Sequence, residues 1–595
     1  MHRLFPRHFK PYYILSNKLS VNDSKFVRTI VCLANDRRSR GLKNARHCPI
    51  RFNSNLPDPN SRFLFYSGKY WRAEDVEDRI FDSLCDSEGY LSIAKFKGEL
   101  RASGLRETDP RLKETMEKFS KFQARVGEME GVHSIHLDRP TFKDCISENI
   151  FLIAKAFHQN FIIPEFTTFC ENIEDLYWKV KSNTDGKVAS YIPQLARYSP
   201  DLWGVSVCTI DGQRYSIGDV DIPVCLQSVS KPLTYALVLN EQTPEVVHQY
   251  VGHEPSGRQF NEIKLSADNK PHNPLINSGA IVLCSLLKQD FNLADRFDYT
   301  SQMFKKLAGN EHLSFNNSVF LSERETADRN FALGYYLREY KCFPKGTNLM
   351  ETLDFYFQLC SVEVTAQSGS VIAASLANGG ICPITGERVL DAGAVRNTLS
   401  LMHSCGMYDY SGQFAFDVGL PAKSGVSGSV MLVVPNVMGV YMWAPPLDQY
   451  GNSCKGIQFC EELVDKFNFH NYDNLRHTHR KLDPRVQEYT NAANAVVELL
   501  FAAKNADTSQ LRRCLLSGMD MSQADYDGRT ALHVASAEGH AEIVNFLLYK
   551  CNVSPFLEDR WGFTALDDAK RFRKTVVAAE LEKCMQEKVP SSDES

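Results

Sequence analysis

Residues 225–237 read CLQSVSKPLTYAL, and the setting of one lysine in this stretch decides how the chain is read. Lys231 has Ser228 three residues before it and Ser230 beside it. On a helix, residues three apart share a face, whereas neighbours diverge by about 100°. Ser228 can therefore present its hydroxyl to the Lys231 amine, and Ser230 is poorly placed to do so. Pro232 suits a first helical turn, where its missing N–H costs little, so Ser228 is expected near a helix N-terminus. The dipole there favours an oxyanion nearby. An amine becomes a base when burial lowers its pKa, and Leu226, Val229 and Leu233 supply part of an apolar setting. The pattern makes Ser228 a candidate nucleophile and Lys231 its base.

A serine three before a lysine recurs by chance on exposed helices, so a second feature carries weight. Lys423-Ser424-Gly425 opens a strand pattern, and VMLVVPNVMGVYMW (430–443) follows it. That run is interrupted by Pro435, Asn436 and Gly439 and reads as two buried strands joined by a turn. Leu202–Asp219 alternates around Asp211-Gly212, a hairpin signal. Between these lies a mainly helical section from about Asn273 to Ser404. Together they predict an α/β layered domain with an antiparallel sheet. A Ser-x-x-Lys helix followed far downstream by a Lys-Ser/Thr-Gly strand is the arrangement of serine β-lactamases and penicillin-binding proteins. There the strand glycine lets substrate approach the backbone, and the lysine adds positive charge.

The flanks read differently. From about Ala73 to Asp175 apolar residues recur at helical spacing, as in Ile146, Ile150, Ile153, Ala154 and Phe157. Asp86-Ser87-Glu88-Gly89-Tyr90-Leu91 is similar to the middle of an EF-hand loop. Aligning Gly89 with that loop's glycine puts Leu84 at the first ligand position and Lys95 at the last, where calcium needs oxygen ligands. An EF-hand-like helix pair without calcium is expected. At the other end, GRTALHVA (528–535) recurs as GFTALDDA (562–569), 34 residues on, near the ankyrin period. A weaker repeat spans Asn494–Gly518. The module is either a partner-binding surface or an accessory that packs on its own chain or oligomer.

With 595 residues the chain needs several domains. A net charge of -5 gives no bulk reason to bind nucleic acid or an acidic membrane. No apolar run is long and clean enough for membrane insertion. The 17 cysteines lack CxxC or Cys/His metal spacing and read as reduced, buried thiols with no metal site. In the first 51 residues, 12 Lys and Arg face only Asp23 and Asp36. This composition reads as a mitochondrial transit peptide, with a basic tail as the alternative. Asn53–Arg62 then reads as a turn-rich linker.

LQSVSKPLTYAL, EPSGRQFN, KPHNPLINSGA, SERETADRNFALGYYL, NTLSLMHSCGMYDYSGQFAF and GLPAKSGVSG resemble the serine-dependent glutaminases with the β-lactamase-like fold. The helical and ankyrin flanks resemble the animal kidney/liver-type mitochondrial branch. The likeness runs from about Trp71 to the last repeat. It implies hydrolysis of L-glutamine to L-glutamate and ammonia through a serine acyl-enzyme in the mitochondrial matrix. Carried over by motif, Ser228 is the nucleophile and Lys231 its partner. Tyr408 relays a proton to the leaving ammonia. Tyr191, Ser228, Asn277, Glu323, Asn330, Tyr356, Tyr408 and Val426 match positions that bind glutamine, with Lys423, Ser424 and Gly425 in support. Glu323 suits the substrate's ammonium, and asparagine and tyrosine donors suit its carboxylate. The backbone N–H groups of Ser228 and Val426 suit an oxyanion.

The resemblance implies no cofactor, inorganic phosphate as an activator, and a homotetramer capable of higher assembly. The expected domains are a transit peptide and linker (1–56), a helical EF-hand-like domain (57–180), the catalytic domain (181–475), and ankyrin repeats with a tail (476–595). Two departures stand out. Ser230 replaces the valine usual in vertebrate members, and local hydrogen bonding is expected of it. Lys264, in the mobile loop 257–267, replaces an aromatic of the kidney type, which sets phosphate activation and inhibitor binding in question. The competing readings are a β-lactamase or peptidase on the same fold, and a scaffold without activity.

Overall fold

The computed structural model describes residues 63–66, 69–127, 136–257, 262–473, 481–486, 488–516 and 519–588. The expected transit peptide and linker, and residues 258–261 of the loop 257–267, lie outside the described residues.

The first domain opens on an antiparallel hairpin of β1 (Phe63–Tyr66) and β2 (Lys69–Arg72). Helices Ala73–Leu84, Ile93–Ala102, Lys113–Gly127, Arg139–Ile146 and Ile150–Phe157 follow. Their apolar faces meet in one core around Phe96, whose ring contacts Phe119, Phe142 and Phe157. β3 (Leu91–Ser92) and β4 (His136–Leu137) pair antiparallel and join two helix–loop–helix units, as EF-hand pairs do. In the first loop Asp86 Oδ1 accepts the N–H groups of Glu88 and Tyr90. Lys95 Nζ donates to the Leu84 carbonyl at 2.9 Å. A side-chain ammonium thus ties together the two loop positions where a calcium loop would place ligands.

The second domain is built on five antiparallel strands. β5 (Lys187–Val188) precedes them and pairs at the rim with β14 (Pro446–Leu447). The sheet comprises β6 (Gly204–Thr209), β7 (Arg214–Gly218), β11 (Ala422–Gly425), β12 (Ser429–Val434) and β13 (Met438–Trp443), in the order β11-β12-β13-β6-β7. β6, β12 and β13 are buried on both faces, so successive side chains enter two different cores. Val205, Val207, Val430, Leu432, Val440 and Met442 meet helices Phe166–Lys181 and Cys454–Lys466. Cys208, Met431, Val433, Tyr441 and Trp443 face the other way, toward helix Ala366–Ala377 and the helices beyond it. That helix lies directly on the sheet because Gly439 has no side chain: a Cβ there would stand 2.1 Å from Ala374 N.

The expected hairpins at 202–219 and 430–443 both form. The sequence reading did not include a second, small sheet. It contains β8 (Val224–Cys225), β9 (Leu313–Phe315) and β10 (Val362–Val364), in the order β8-β10-β9. Two- and three-residue strands carry too little periodicity to be read.

The domains interlock through the β6–β7 turn. Gln213 donates to the carbonyls of Ser103 and Ile163, and Arg111 to that of Asp211. At the C-terminus, helices Ala531–Glu538 and Ala565–Arg571 begin at Thr530 and Thr564, each closing a capping box. The glycines of the repeated motif, Gly528 and Gly562, take positive φ of 74° and 80° in the turns before them. His533 Nε2 lies 3.1 Å from the Phe563 carbonyl, which ties one repeat to the next.

Candidate active site

β8 ends at Cys225, and the Leu226 N–H continues its ladder to the Val362 carbonyl at 2.8 Å. The chain then turns sharply. Gln227 takes φ 49°, an uncommon conformation for a residue with a side chain. A single 3₁₀ turn, Gln227–Val229, leads into helix Ser230–Glu241, which is buried from Ser230 to Leu239. Ser230 Oγ donates to the Gln227 carbonyl at 2.7 Å. The extra serine thus bonds locally, as expected, and it holds the strained residue that presents Ser228.

Lys231 lies in the first turn of this helix, 2 % exposed. Its Nζ donates to Ser228 Oγ at 2.7 Å and to Asn277 Oδ1 at 2.9 Å. Asn277, the first residue of helix Asn277–Leu286, donates from its Nδ2 to Asn330 Oδ1 at 3.1 Å. The Tyr356 ring packs 5.8 Å from Nζ. Burial lowers the Lys231 pKa to about 8. The amine is therefore available as a base near neutral pH.

Tyr408 is buried, with its hydroxyl within hydrogen-bond reach of Ser228, and burial raises its pKa. Lys423, fully buried on β11, lies 4.3 Å over the Tyr408 ring and donates to the Ser424 carbonyl at 2.7 Å. Burial, and then the Lys231 charge, hold the Lys423 pKa well below that of a free lysine. Strand alternation puts Ser424 on the opposite face from Lys423. Its part in this arrangement is therefore a backbone one.

Gly425 lies directly against the nucleophile turn. A Cβ at Gly425 would stand 2.9 Å from the Leu226 carbonyl oxygen and 3.2 Å from Val229 Cγ2. The missing side chain lets β11 lie against the turn that presents Ser228. Val426 follows directly and is half-buried against Ile192, Leu195, Cys225 and Val319.

Glu323, on helix Asn317–Glu325, forms the other wall. Its Oε1 accepts from the Tyr191 hydroxyl at 2.5 Å and from Gln227 Nε2 at 2.9 Å. Burial raises the Glu323 pKa, and these two donors oppose that. Tyr191 lies at the rim, 48 % exposed. Gln227 was absent from the expected set, yet it joins the two walls. A polar side chain placed between the apolar Val224-Cys225-Leu226 and Ser228 is the signal that marks it. Cys284 and Cys360 are also close to Lys231, and burial pushes both thiols up, Cys360 to about 12. Such thiols are poor nucleophiles. In the described part of loop 257–267, Lys264 lies at the surface.

A hydroxyl paired with a buried amine, on a sharp strand–turn–helix beside a Lys-Ser-Gly strand, is the arrangement of the serine hydrolases of β-lactamase-like architecture. Comparison with known proteins narrows this. The Glutaminase family model matches residues 186–472, an EF-hand domain model matches 76–164, and an ankyrin model of three copies matches 499–582. The mitochondrial liver isoform of glutaminase from Mus musculus is 54 % identical over 529 residues, covering 89 % of this chain and 86 % of that protein. A glutaminase from Nostoc sp. is 42 % identical over 305 residues, 51 % of this chain and 90 % of its own. The crystal structure of Mglu in its native form is similar at 34 % identity with a TM-score of 0.50, covering 59 % of this chain and 89 % of that one. The chain belongs to the glutaminase family.

Proposed function

We propose that the chain is a mitochondrial glutaminase that hydrolyses L-glutamine to L-glutamate and ammonia through an acyl-enzyme on Ser228. The neutral Lys231 amine takes the Ser228 proton as Oγ attacks the side-chain amide carbon. The oxyanion that forms faces the N–H groups of Ser228 and Val426. On collapse, Tyr408 gives a proton to the departing nitrogen and recovers one from the Lys231 ammonium. Ammonia leaves, and the glutamyl ester remains on Ser228. Water, deprotonated by Lys231, then attacks the ester carbonyl; the adduct expels Ser228 Oγ, which takes that proton back from Lys231, and glutamate is freed with the serine and the neutral amine restored. Glu323, with Tyr191, receives the substrate's α-ammonium, while Asn277, Asn330 and Tyr356 contact the rest of the amino acid. Lys423 holds the Tyr408 ring, Ser424 holds Lys423, and Gly425 seats the turn. These steps need no cofactor.

The observation that carries this reading is the 2.7 Å contact between Lys231 Nζ and Ser228 Oγ in a buried setting. It is tested by ammonia and glutamate release from the full chain, beside Ser228→Ala. Activity in the parent and none in the folded variant is expected; activity retained in the variant would overturn the assignment. Inorganic phosphate as activator, a homotetramer with higher assemblies, a matrix location, the domain limits 1–56, 57–180, 181–475 and 476–595, and a protein partner for the ankyrin surface belong to the same proposal. The ankyrin match supports the last of these. Among the described residues no helix is long and apolar enough to cross a membrane.

A further inference from the structure

The ankyrin stack ends on a polar face. Residues 34 apart take matching places in its last two repeats. Where the earlier repeat buries His533, Ser536 and Leu548, the last has Asp567, Lys570 and Glu582, all exposed. Lys570 and Glu582 pair at 2.7 Å. Such a cap stops a solenoid from stacking end to end on another copy. The finger turns that precede the repeat helices are different. Tyr526, 93 % exposed, is the most exposed large aromatic or aliphatic side chain among the described residues. Trp561, on the next finger, is 56 % exposed. The two rings flank one cation: the Arg560 guanidinium lies 5.6 Å from the Tyr526 ring and 4.9 Å from the Trp561 ring.

Both turns are firmly built. Asp525 Oδ1 accepts the N–H groups of Asp527 and Arg529, and Asp559 Oδ1 those of Trp561 and Phe563, at 2.9–3.0 Å. The Arg560 N–H donates to the Asp527 carbonyl at 2.9 Å, and a Cβ on Gly528 would stand 3.1 Å from that nitrogen. The rings are thus held in place before any partner arrives. The turns are also acidic. Asp525, Asp527, Glu558 and Asp559 stand here against Arg529 and Arg560. Arg560 pairs with Asp527 at 2.7 Å, and Arg529 with Asp568 below the turn. On the approaches to the turns, Asp520 bonds Ser522 and Lys588 bonds Asn552, one charge of each sign. Asp525, Glu558 and Asp559 are left without an ion pair among the described residues. Exposed rings and surplus carboxylates both attract cations.

We infer that the fingers of the last two repeats bind an extended, arginine- or lysine-rich segment of another protein. Its cations meet the Tyr526 and Trp561 rings as Arg560 does, and its charge meets the unpaired carboxylates. A contiguous exposed aromatic surface marks an interaction site. This rests on the reading of the ankyrin module as partner-binding, and not on the catalytic reading.

The test titrates the full chain into two labelled peptides, one of four Gly-Arg-Ser repeats and one of four Gly-Glu-Ser repeats. Fluorescence anisotropy gives affinity and its salt dependence, and hydrogen exchange gives location. The basic peptide should bind, with protection at residues 524–530 and 558–564. Tyr526→Ala and Trp561→Ala should each weaken it about fivefold or more. Glu558→Gln should lessen its salt dependence. Glutamine turnover should be unchanged in all three. Tyr526 is so exposed that its replacement spares the fold, which keeps the test decisive if Trp561→Ala does not fold. Binding of the acidic peptide at these turns instead would leave a partner surface but overturn the basic partner. Binding of neither peptide, protection elsewhere, or equal affinity in the variants and the parent would overturn the inference outright. Displacement of the probe by a tenth of its concentration of a peptide of residues 1–51, itself basic, would make this chain's own segment the occupant and overturn the assignment to another protein.

Discussion

Between pH 6.5 and 8.5, kcat/KM for glutamine should rise about 25-fold, because only the neutral Lys231 amine can take the Ser228 proton. With a pKa of about 8, roughly 3 % of Lys231 is neutral at the lower pH and about three-quarters at the upper. The range stops at 8.5 so that the substrate keeps most of its own α-ammonium charge. The assay is initial-rate ammonia release at sub-saturating glutamine and constant phosphate, so that it reports the free enzyme. Glu323 could contribute at the acid end, since burial raises its pKa. Temperature separates the two: an amine ionises with a large enthalpy, a carboxyl with almost none. The alkaline limb should move to lower pH on warming. A profile flat from 6.5 to 8.5, or a limb that stays fixed on warming, would refute Lys231 as the base.

Glu323→Gln removes a charged acceptor for the substrate ammonium, and a charge-assisted hydrogen bond contributes about 1.5–3 kcal/mol. Steady-state kinetics should show kcat/KM lower by about 10- to 150-fold, mainly through KM. Gly425→Ala places a Cβ 2.9 Å from the Leu226 carbonyl oxygen, so the nucleophile turn must shift. Overpacking of about 1–3 kcal/mol should lower kcat by about tenfold or more, with little change in glutamine binding. Lys231→Met should abolish turnover but stabilise the fold by about 3 kcal/mol at pH 7, less the two lost hydrogen bonds. The sign follows from the lowered pKa. Below about 8 both folded and unfolded chains hold the proton, and burial costs its full amount. Between about 8 and 10.5 the unfolded chain binds more protons, so the parent gains stability as pH rises and the gap to the variant closes. Urea unfolding across that range measures it; a gap that does not change with pH would contradict the shift.

The site was legible where its chemistry requires local spacing. Ser228 and Lys231 are three apart on one helical face, and Lys423 and Gly425 alternate on one strand, so period alone pairs them. The long strands β12 and β13 were legible for the same reason. Gln227 was not, because its role depends on a positive φ and on Glu323, 96 residues away. The small sheet was not, because its strands are too short for alternation to show. The contact of Gly425 with the nucleophile turn was not legible either, because it joins residues some 200 positions apart.

The placement of charge explains how a polar substrate reaches chemistry in a core. Lys231 and Lys423 are almost wholly buried, whereas Glu323 and Tyr191 form a wall that reaches the exposed rim. Burial lowers the proton affinity of both lysines, and the Lys231 charge lowers that of Lys423 further, so the inner end of the site favours neutral amines. Glu323, buried behind the exposed Tyr191, keeps an acceptor for a cation. An amino acid entering with its ammonium held at Glu323 therefore points its side-chain amide toward Ser228. Under the proposed mechanism, Glu323 selects a free α-ammonium and the Ser228–Lys231 pair acts on the amide. The same gradient disfavours glutamine within a peptide, whose α-nitrogen carries no charge for Glu323 to hold. Selectivity for the free amino acid would then follow from where the one carboxylate stands relative to the two lysines.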